Sequence, residues 1–182
     1  MKRFYWLILS LFIVHGISNA QLSTNSNVSA NFLVQNTLLG GGVSATNVSY
    51  NGDVDAMGSF IGSNCNIGLN SGVIMTTGTV ENSTTFLGDQ QGPFGPNNNA
   101  GAGLDNSASG DGLLDGLSSA STEDAAILEF DFEAVGSSIS LRYVFASEEY
   151  LEYVNAGYND VFGFFITGQN PNGGNYSSTN IA

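Results

Sequence analysis

Two neighbouring segments of the chain alternate between apolar and polar side chains at every second residue. In ILEFDFE, residues 127–133, the side chains of Leu128, Phe130 and Phe132 share one face and three acids share the other. In SISLRYVF, residues 138–145, every second side chain is again apolar and is expected to face inward: Ile139, Leu141, Tyr143 and Phe145. A period of two excludes a helix and is typical of a half-exposed strand. Because four residues separate the segments, we predict an antiparallel hairpin.

The register of this predicted hairpin follows from pairing Glu133 with Ser138. The apolar side chains of the two strands then face one another, and Glu129 lies directly across from Arg142. A slip of one residue would undo all of these matches. We therefore expect Arg142 to have a structural partner in Glu129 and to be unable to neutralise acids elsewhere.

The N-terminal part of the domain is predicted to combine one helix with one strand. Asn31–Gly42 is the one plausible helix, which Asn31 can cap and three glycines end. The strand that follows is predicted to bury the side chains of Val43, Ala45, Val48 and Tyr50.

Short apolar runs bounded by Gly and Asn are typical of an all-β domain. Residues 71–80 form a predicted strand. Residues 160–168 form another, apolar on both faces and therefore central in a sheet. The polar residues 89–116 predict a long surface loop. Together these patterns favour an antiparallel, jelly-roll-like β-sandwich with one short N-terminal helix.

The first twenty residues have the three parts of a secretory signal peptide. Lys2 and Arg3 precede the apolar run Phe4–Val14, and the small residues Ser18–Ala20 follow. We predict cleavage after Ala20 and a secreted or cell-surface protein. The apolar run is shorter than the roughly 20 residues that a spanning helix needs.

The domain organisation follows from this reading of the N-terminus. Residues 1–20 are the signal peptide, 21–30 are a flexible lead, and 31–182 are a single β domain. Because the chain stops at Asn180–Ala182 without a recognisable terminal strand, we expect this domain to be truncated at its C-terminus.

The charge balance excludes several classes of function. Sixteen acidic residues against three basic ones give a net charge of −13. Without the signal peptide, Arg142 is the one remaining base and no histidine is left. Catalytic triads that use histidine and histidine-ligated zinc sites are then impossible. Binding to nucleic acid or to anionic membranes is disfavoured.

An acidic segment follows the second alternating segment and contains no Lys or Arg. Its candidate site residues are Glu148, Glu149, Asn159 and Asp160. One explanation is structural: a short helical turn capped by Ser147, whose positive end the glutamates stabilise. A second is a calcium site formed by these residues, since Ca²⁺ takes carboxylate and carbonyl oxygens. A third is a carboxylate pair for glycoside hydrolysis.

A second acidic series lies in the predicted long loop, at Asp105, Asp111 and Asp115. Gly116 stands where an EF-hand would place its bidentate glutamate, so the pattern fails. We expect a solvated acidic loop there.

Three stretches carry a resemblance to a known family: LVQNTLLGGGVSATNVSYNGD from Leu33, GVIMTTG from Gly72, and residues 121–168. They resemble the choice-of-anchor L domain of secreted bacterial proteins, chiefly of the Bacteroidota. The resemblance implies an exported, mostly β domain with no established activity, so it assigns no catalytic residue. Its recurrent motifs match residues 145–150 and 159–165 and mark the expected site.

We therefore expect an exported cell-surface or secreted adhesion or interaction domain that calcium stabilises and that carries out no catalysis. Its expected partners are an extracellular polysaccharide or a surface protein. Two alternatives stay open: a polysaccharide-acting hydrolase that uses a Glu/Asp pair, and a purely structural spacer module.

Overall fold

Short strands dominate the part of the chain that the structure describes. The computed structural model describes residues 22–62, 67–80, 106–118, 120–147, 155–157 and 160–182. The strands are β1 (Ser23–Asn25), β2 (Val43–Asn51), β3 (Met57–Ile61), β4 (Ser71–Met75), β5 (Ile127–Ala134), β6 (Phe165–Gln169) and β7 (Asn175–Asn180). The helices are α1 (Ala30–Leu33), which continues as a π-helix over Val34–Leu38, a 3-10 turn at Val54–Ala56, and α2 (Gly112–Asp115).

Within the described residues the strands form three antiparallel sheets. One has the order β1–β3–β4, the second pairs β2 with β5, and the third pairs β6 with β7. The predicted mostly β, antiparallel architecture with a short N-terminal helix is confirmed, and these sheets are consistent with an incomplete sandwich.

The N-cap of helix α1 lies two residues before the cap that the sequence predicts. Ser29, in extended conformation, is the N-cap, and its hydroxyl accepts a hydrogen bond from the Phe32 amide at 3.2 Å. Asn31 lies inside the helix, so the prediction that it is the cap was wrong. The side chains of Leu33 and Val34 are fully buried. They anchor the helix in the core.

The core lies where α1 and the π-helix that continues it contact β2, β3 and β4. Its buried apolar residues are Leu33, Val34, Ala45, Ala56, Met57, Phe60, Val80 and Ala125. Gly58 allows β1 and β3 to pack closely, because a Cβ there would overlap the Asn25 carbonyl. Each large apolar side chain buried in this core contributes roughly 1.5–3 kcal/mol of transfer free energy.

Strand β2 changes the face it buries part-way along its length. Its pairing with β5 shifts between Thr46 and Ser49, where Asn47 takes the left-handed conformation with φ of 52°. The side-chain amide Nδ2 of Asn47 donates to Asp131 Oδ2 at 2.6 Å. This β-bulge moves the inward positions from odd to even numbers. The predicted inward set is confirmed, with Ala45 buried and the side chains of Val43, Val48 and Tyr50 half-buried.

The predicted hairpin between residues 127–133 and 138–145 was wrong. Strand β5 pairs with β2 instead, so that Glu129 lies opposite Ser49. Residues 138–147 form no strand. The Arg142 guanidinium donates to the Gly68 carbonyl at 2.7 Å, which replaces the predicted pair with Glu129.

The reason for this difference is that alternation defines the faces of a strand but not its partner. The Val135 amide donates to the Gly42 carbonyl at 2.9 Å and so extends the β2–β5 pairing past the end of β5. The chain therefore follows β2 where the predicted hairpin would have turned back.

Strand β6 is shorter and less buried than predicted for residues 160–168. It begins at Phe165 and forms a hairpin with β7, whose turn is closed by the Asn170 amide donating to the Gly174 carbonyl at 3.0 Å. Residues 160–166 are half-buried, so the prediction of a strand covered on both faces was wrong. Strand β4 likewise ends at Met75, short of the predicted residue 80.

Candidate interaction face

The structure describes one of the four predicted site residues. Glu148, Glu149 and Asn159 lie outside the described residues, whereas Asp160 is half-buried at the start of the segment that leads into β6. Asp160 Oδ2 accepts a hydrogen bond from the Ser147 hydroxyl at 2.6 Å. The two ends of the acidic segment, Ser147 and Asp160, are therefore in direct contact.

Beyond this contact, the flanking segments are joined by a cluster of four rings, which we call the aromatic cluster: Tyr143, Phe145, Phe162 and Phe164. The ring centroids of Phe145 and Phe162 are 5.9 Å apart, and those of Tyr143 and Phe164 are 5.4 Å apart. In each pair one residue lies as far before Ser147 as the other lies after Asp160. The two segments therefore run in opposite directions, and their side chains are matched in three rows: Ser147 with Asp160, Phe145 with Phe162, and Tyr143 with Phe164.

Phe162 is at the centre of the aromatic cluster. Its ring is inclined 27° to Phe145 and 33° to Tyr143, and it meets Phe164 edge-to-face with centroids 4.8 Å apart. Near-parallel rings at 5–6 Å overlap with an offset, and edge-to-face pairs are favourable; each adds about 0.5–1.5 kcal/mol beyond area burial. These contacts hold the two segments together although neither segment forms a β-strand at residues 143–147 or 160–164.

The aromatic cluster is open to solvent on one side. Tyr143 and Phe145 are each 50% exposed, and Phe162 and Phe164 are half-buried. The prediction that Tyr143 and Phe145 face inward was therefore wrong.

Further apolar side chains extend this face in both directions. Leu141 and Ile139 continue the same alternation before Tyr143 and are 44% and 50% exposed. On the other side, the Ile181 amide donates to the Phe164 carbonyl at 2.8 Å, which places the end of β7 beside the cluster. An exposed contiguous apolar area of this kind marks an interaction surface more often than a scattered apolar residue does.

Arg142 lies between Leu141 and Tyr143 in the sequence, but its guanidinium forms a hydrogen bond outside this face. It is the one basic residue in the part of the chain that the structure describes, and its guanidinium is bound to the Gly68 carbonyl. The face consequently has no cation of its own, and its charged member is the Asp160 carboxylate.

The second acidic series forms local caps. The Asp111 carboxylate accepts from the amides of Leu113 and Leu114 at the start of α2. Asp115 accepts from the Thr122 amide at 2.6 Å and from its hydroxyl at 2.8 Å. The Thr122 amide, followed by the Thr122 hydroxyl, lowers the pKa of Asp115. Asp105 lies outside the described residues.

Neither a metal cluster nor a membrane-spanning helix is found among the described residues. No group of three or more Asp, Glu, His or Cys side chains there converges on one point. No helix in the same residues is long and apolar enough to cross a bilayer. Because three of the predicted calcium ligands are not described, these findings do not test that site.

The aromatic cluster is the feature that the sequence reasoning missed. The signal that could have found it is the equal spacing of aromatic residues on either side of the acidic segment, at two and four positions from Ser147 and from Asp160. Such symmetry predicts that two segments lie side by side in opposite directions.

Comparison with known proteins identifies the family. The model of the choice-of-anchor L domain family matches residues 21–182, so the chain belongs to this family. Neither the curated proteins nor the solved structures contain a match. The family is one of secreted or cell-surface domains, which agrees with the resemblance noted from the sequence.

Proposed function

From its membership of the choice-of-anchor L family, we propose that the chain is an exported adhesion or interaction domain whose binding surface is the aromatic cluster with Asp160. The single observation that carries this proposal is the exposure of Tyr143 and Phe145, each 50%, within a contiguous apolar face. Aromatic residues exposed in this way are the side chains that most often supply binding energy at interfaces.

No catalysis is part of this proposal. A glycoside hydrolase needs two carboxyl groups on either side of the scissile bond, about 5–10 Å apart. In the described part of the face Asp160 is the acid beside the aromatic cluster, and it is engaged by Ser147. The expected partners are an extracellular polysaccharide or a surface protein.

Binding to the proposed surface can be tested by labelling the purified protein and measuring its attachment to surface polysaccharide and surface-protein fractions. The double variant Tyr143→Ser, Phe145→Ser should lose attachment. Val135→Ser is the matched control, because Val135 is 91% exposed and lies outside the cluster. Equal attachment of the wild type and the double variant would contradict the proposal and favour the structural spacer.

Export is the second part of the proposal. We propose that a signal peptide is removed after Ala20, as the sequence pattern indicates. N-terminal sequencing of the protein recovered from the culture medium or from the cell surface should begin at Gln21. A chain that retains Lys2 and Arg3 at the cell surface would contradict cleavage.

Calcium stabilisation is the third part. We propose a site formed by Glu148, Glu149 and Asp160, with Asn159 in support. Two considerations support it: the acidic segment contains no base, and its two ends are held together at Ser147 and Asp160. Extracellular calcium modules bind with dissociation constants of roughly 10⁻⁴–10⁻³ M. Thermal unfolding at millimolar Ca²⁺ tests the site, and an unchanged melting temperature would contradict it.

A further inference from the structure

Charge and ring geometry together restrict what the aromatic cluster can bind. The chain carries a net charge of −13, and the one base in its described part, Arg142, is bound to Gly68. The cluster itself ends at the Asp160 carboxylate. A second copy of this chain would bring two strongly acidic molecules together, which self-repulsion opposes. An anionic ligand meets the same repulsion.

The rings also do not form a flat platform. The ring of Phe162 stacks on that of Phe145 at 5.9 Å, and the ring of Tyr143 lies 5.2 Å away, tilted by 33°. A sugar ring stacks on one open aromatic face, whereas Phe162 already stacks on Phe145 and is in contact with the tilted ring of Tyr143. The part of the cluster that a ligand can reach is the exposed half of the Tyr143 and Phe145 side chains. Asp160 lies in the next matched row beyond Phe145.

We propose that this surface binds a basic segment of another polypeptide. The aliphatic stem of a Lys or Arg side chain would pack on Tyr143 and Phe145, and its charged head would reach Asp160. Aromatic faces attract cations. A carboxylate that accepts one hydrogen bond from Ser147 can still accept others, because its two oxygens offer about four acceptor sites.

The size of the surface fits a short extended segment. The three matched rows, from Tyr143 and Phe164 to Ser147 and Asp160, span five residues of each segment, that is four steps of about 3.3 Å in extended chain or about 13 Å. A partner segment of about four residues would cover this length. This inference rests on the proposed function and names the partner class of the same surface.

The test uses fluorescence anisotropy in calcium-free buffer, so that the proposed metal does not compete for Asp160. The probes are three labelled decapeptides of alternating sequence, one of Arg and Ser, one of Gln and Ser, and one of Glu and Ser. A labelled neutral glucan is the fourth probe. We expect the Arg peptide to bind at least about tenfold more tightly than the Gln peptide, with affinity falling as salt screens the charges. The Glu peptide should not bind.

Two variants locate the site. Asp160→Asn should weaken binding of the Arg peptide about fivefold and reduce its salt dependence, as expected for one exposed charge contact. Phe145→Ser should weaken it by a similar factor without changing the salt dependence. The matched controls are Glu133→Gln and Val135→Ser, which should bind as the wild type does. Circular dichroism shows that each variant is folded.

The outcomes separate this inference from the proposed function. If the glucan binds in a Phe145-dependent manner and the Arg peptide does not, the basic partner is overturned while the interaction function stands. If Glu133→Gln weakens binding as much as Asp160→Asn does, the peptide is attracted by the net charge of the protein, and the assignment of its binding site to Asp160 is wrong. Concentration-dependent dimerisation that Phe145→Ser abolishes would assign the surface to a second copy. Failure of every probe together with loss of attachment to both surface fractions overturns both proposals.

Discussion

The hydroxyl of Ser147 and the carboxylate of Asp160 lie 2.6 Å apart and join two segments that are separated by twelve intervening residues. Phe145, two residues before Ser147, and Phe162, two residues after Asp160, bring their rings into contact. The hydrogen bond and the ring contact therefore both require the same alignment of the two segments. A shift of one segment along the other should break both contacts.

Asp160→Asn is predicted to reduce the calcium response of the protein. If Asp160 is a ligand, the variant should lose most of the increase in melting temperature that Ca²⁺ produces, because binding to the folded state alone stabilises it. Differential scanning calorimetry with and without Ca²⁺ measures this. Glu133→Gln removes an equal charge from β5 and should respond as the wild type does. An equal response of all three proteins would place the site elsewhere.

Ser147→Ala is predicted to lower the free energy of unfolding by about 0.5–1.5 kcal/mol, the net value of one side-chain hydrogen bond. The measurement is urea denaturation followed by circular dichroism. Ser138→Ala is a suitable control, since Ser138 is exposed in the same segment but outside the three rows. The contact would be unimportant for stability if both variants unfolded at the same urea concentration.

Phe162→Ala is predicted to destabilise the protein more than Phe145→Ala does. Phe162 contacts the rings of Tyr143, Phe145 and Phe164, whereas Phe145 is 50% exposed. We expect a loss of about 2 kcal/mol for Phe162→Ala and about 1 kcal/mol for Phe145→Ala, below the range for fully buried rings. Chemical denaturation gives both values. The reverse order would show that Phe162 is not the centre of the cluster.

Asn47→Val is predicted to lower stability by about 1–2 kcal/mol, because a β-branched residue resists the left-handed conformation of the bulge. Asn47→Gly should adopt φ of 52° without strain and lose only the hydrogen bond to Asp131. The comparison of these two variants by urea denaturation separates backbone strain from the lost bond. Equal losses would assign the whole effect to that bond.

Asp115 is predicted to make the 106–124 region sensitive to acid. Its pKa is lowered from 3.8 by the hydrogen bonds from Thr122, so the folded state favours the charged form. The stabilisation is therefore present above the ordinary pKa and disappears as the pH falls through the lower, folded-state value. Hydrogen exchange at the Thr122 amide should be faster in Asp115→Asn than in the wild type at neutral pH. This difference should shrink below about pH 4.

The faces of the strands could be predicted from the sequence, but their partners could not. The alternation of β2 correctly gave Ala45 and Tyr50 as inward because a strand's side chains point to alternate faces. The same reasoning paired β5 with residues 138–145, because a short loop makes a local hairpin the simplest arrangement. The structure pairs β5 with β2 instead, and a contact between residues so distant in sequence leaves no local signal.

The predicted site residues stay a prediction, because three of the four lie outside the described residues. The family resemblance marked residues 145–150 and 159–165 as the expected site, and Ser147 and Asp160 from these two motifs are in contact. The alternation of residues 138–145 assigned Tyr143 and Phe145 to the interior because apolar side chains are most often buried. Alternation alone gives no information on which of two apolar faces is covered, and here half of each side chain is exposed.

The bulge at Asn47 also has a consequence for chain length. Because it places residues 47 and 48 of β2 opposite one position of β5, removing either of them would leave a regular ladder in which Ser49 still lies opposite Glu129 and Tyr50 opposite Leu128. Tyr50 would keep its inward side and its hydrogen bond to the Asp53 carbonyl, whereas a one-residue deletion elsewhere in β2 would turn the residues beyond it to the other face. Gaps of one residue should therefore be tolerated at the bulge more readily than anywhere else in this strand.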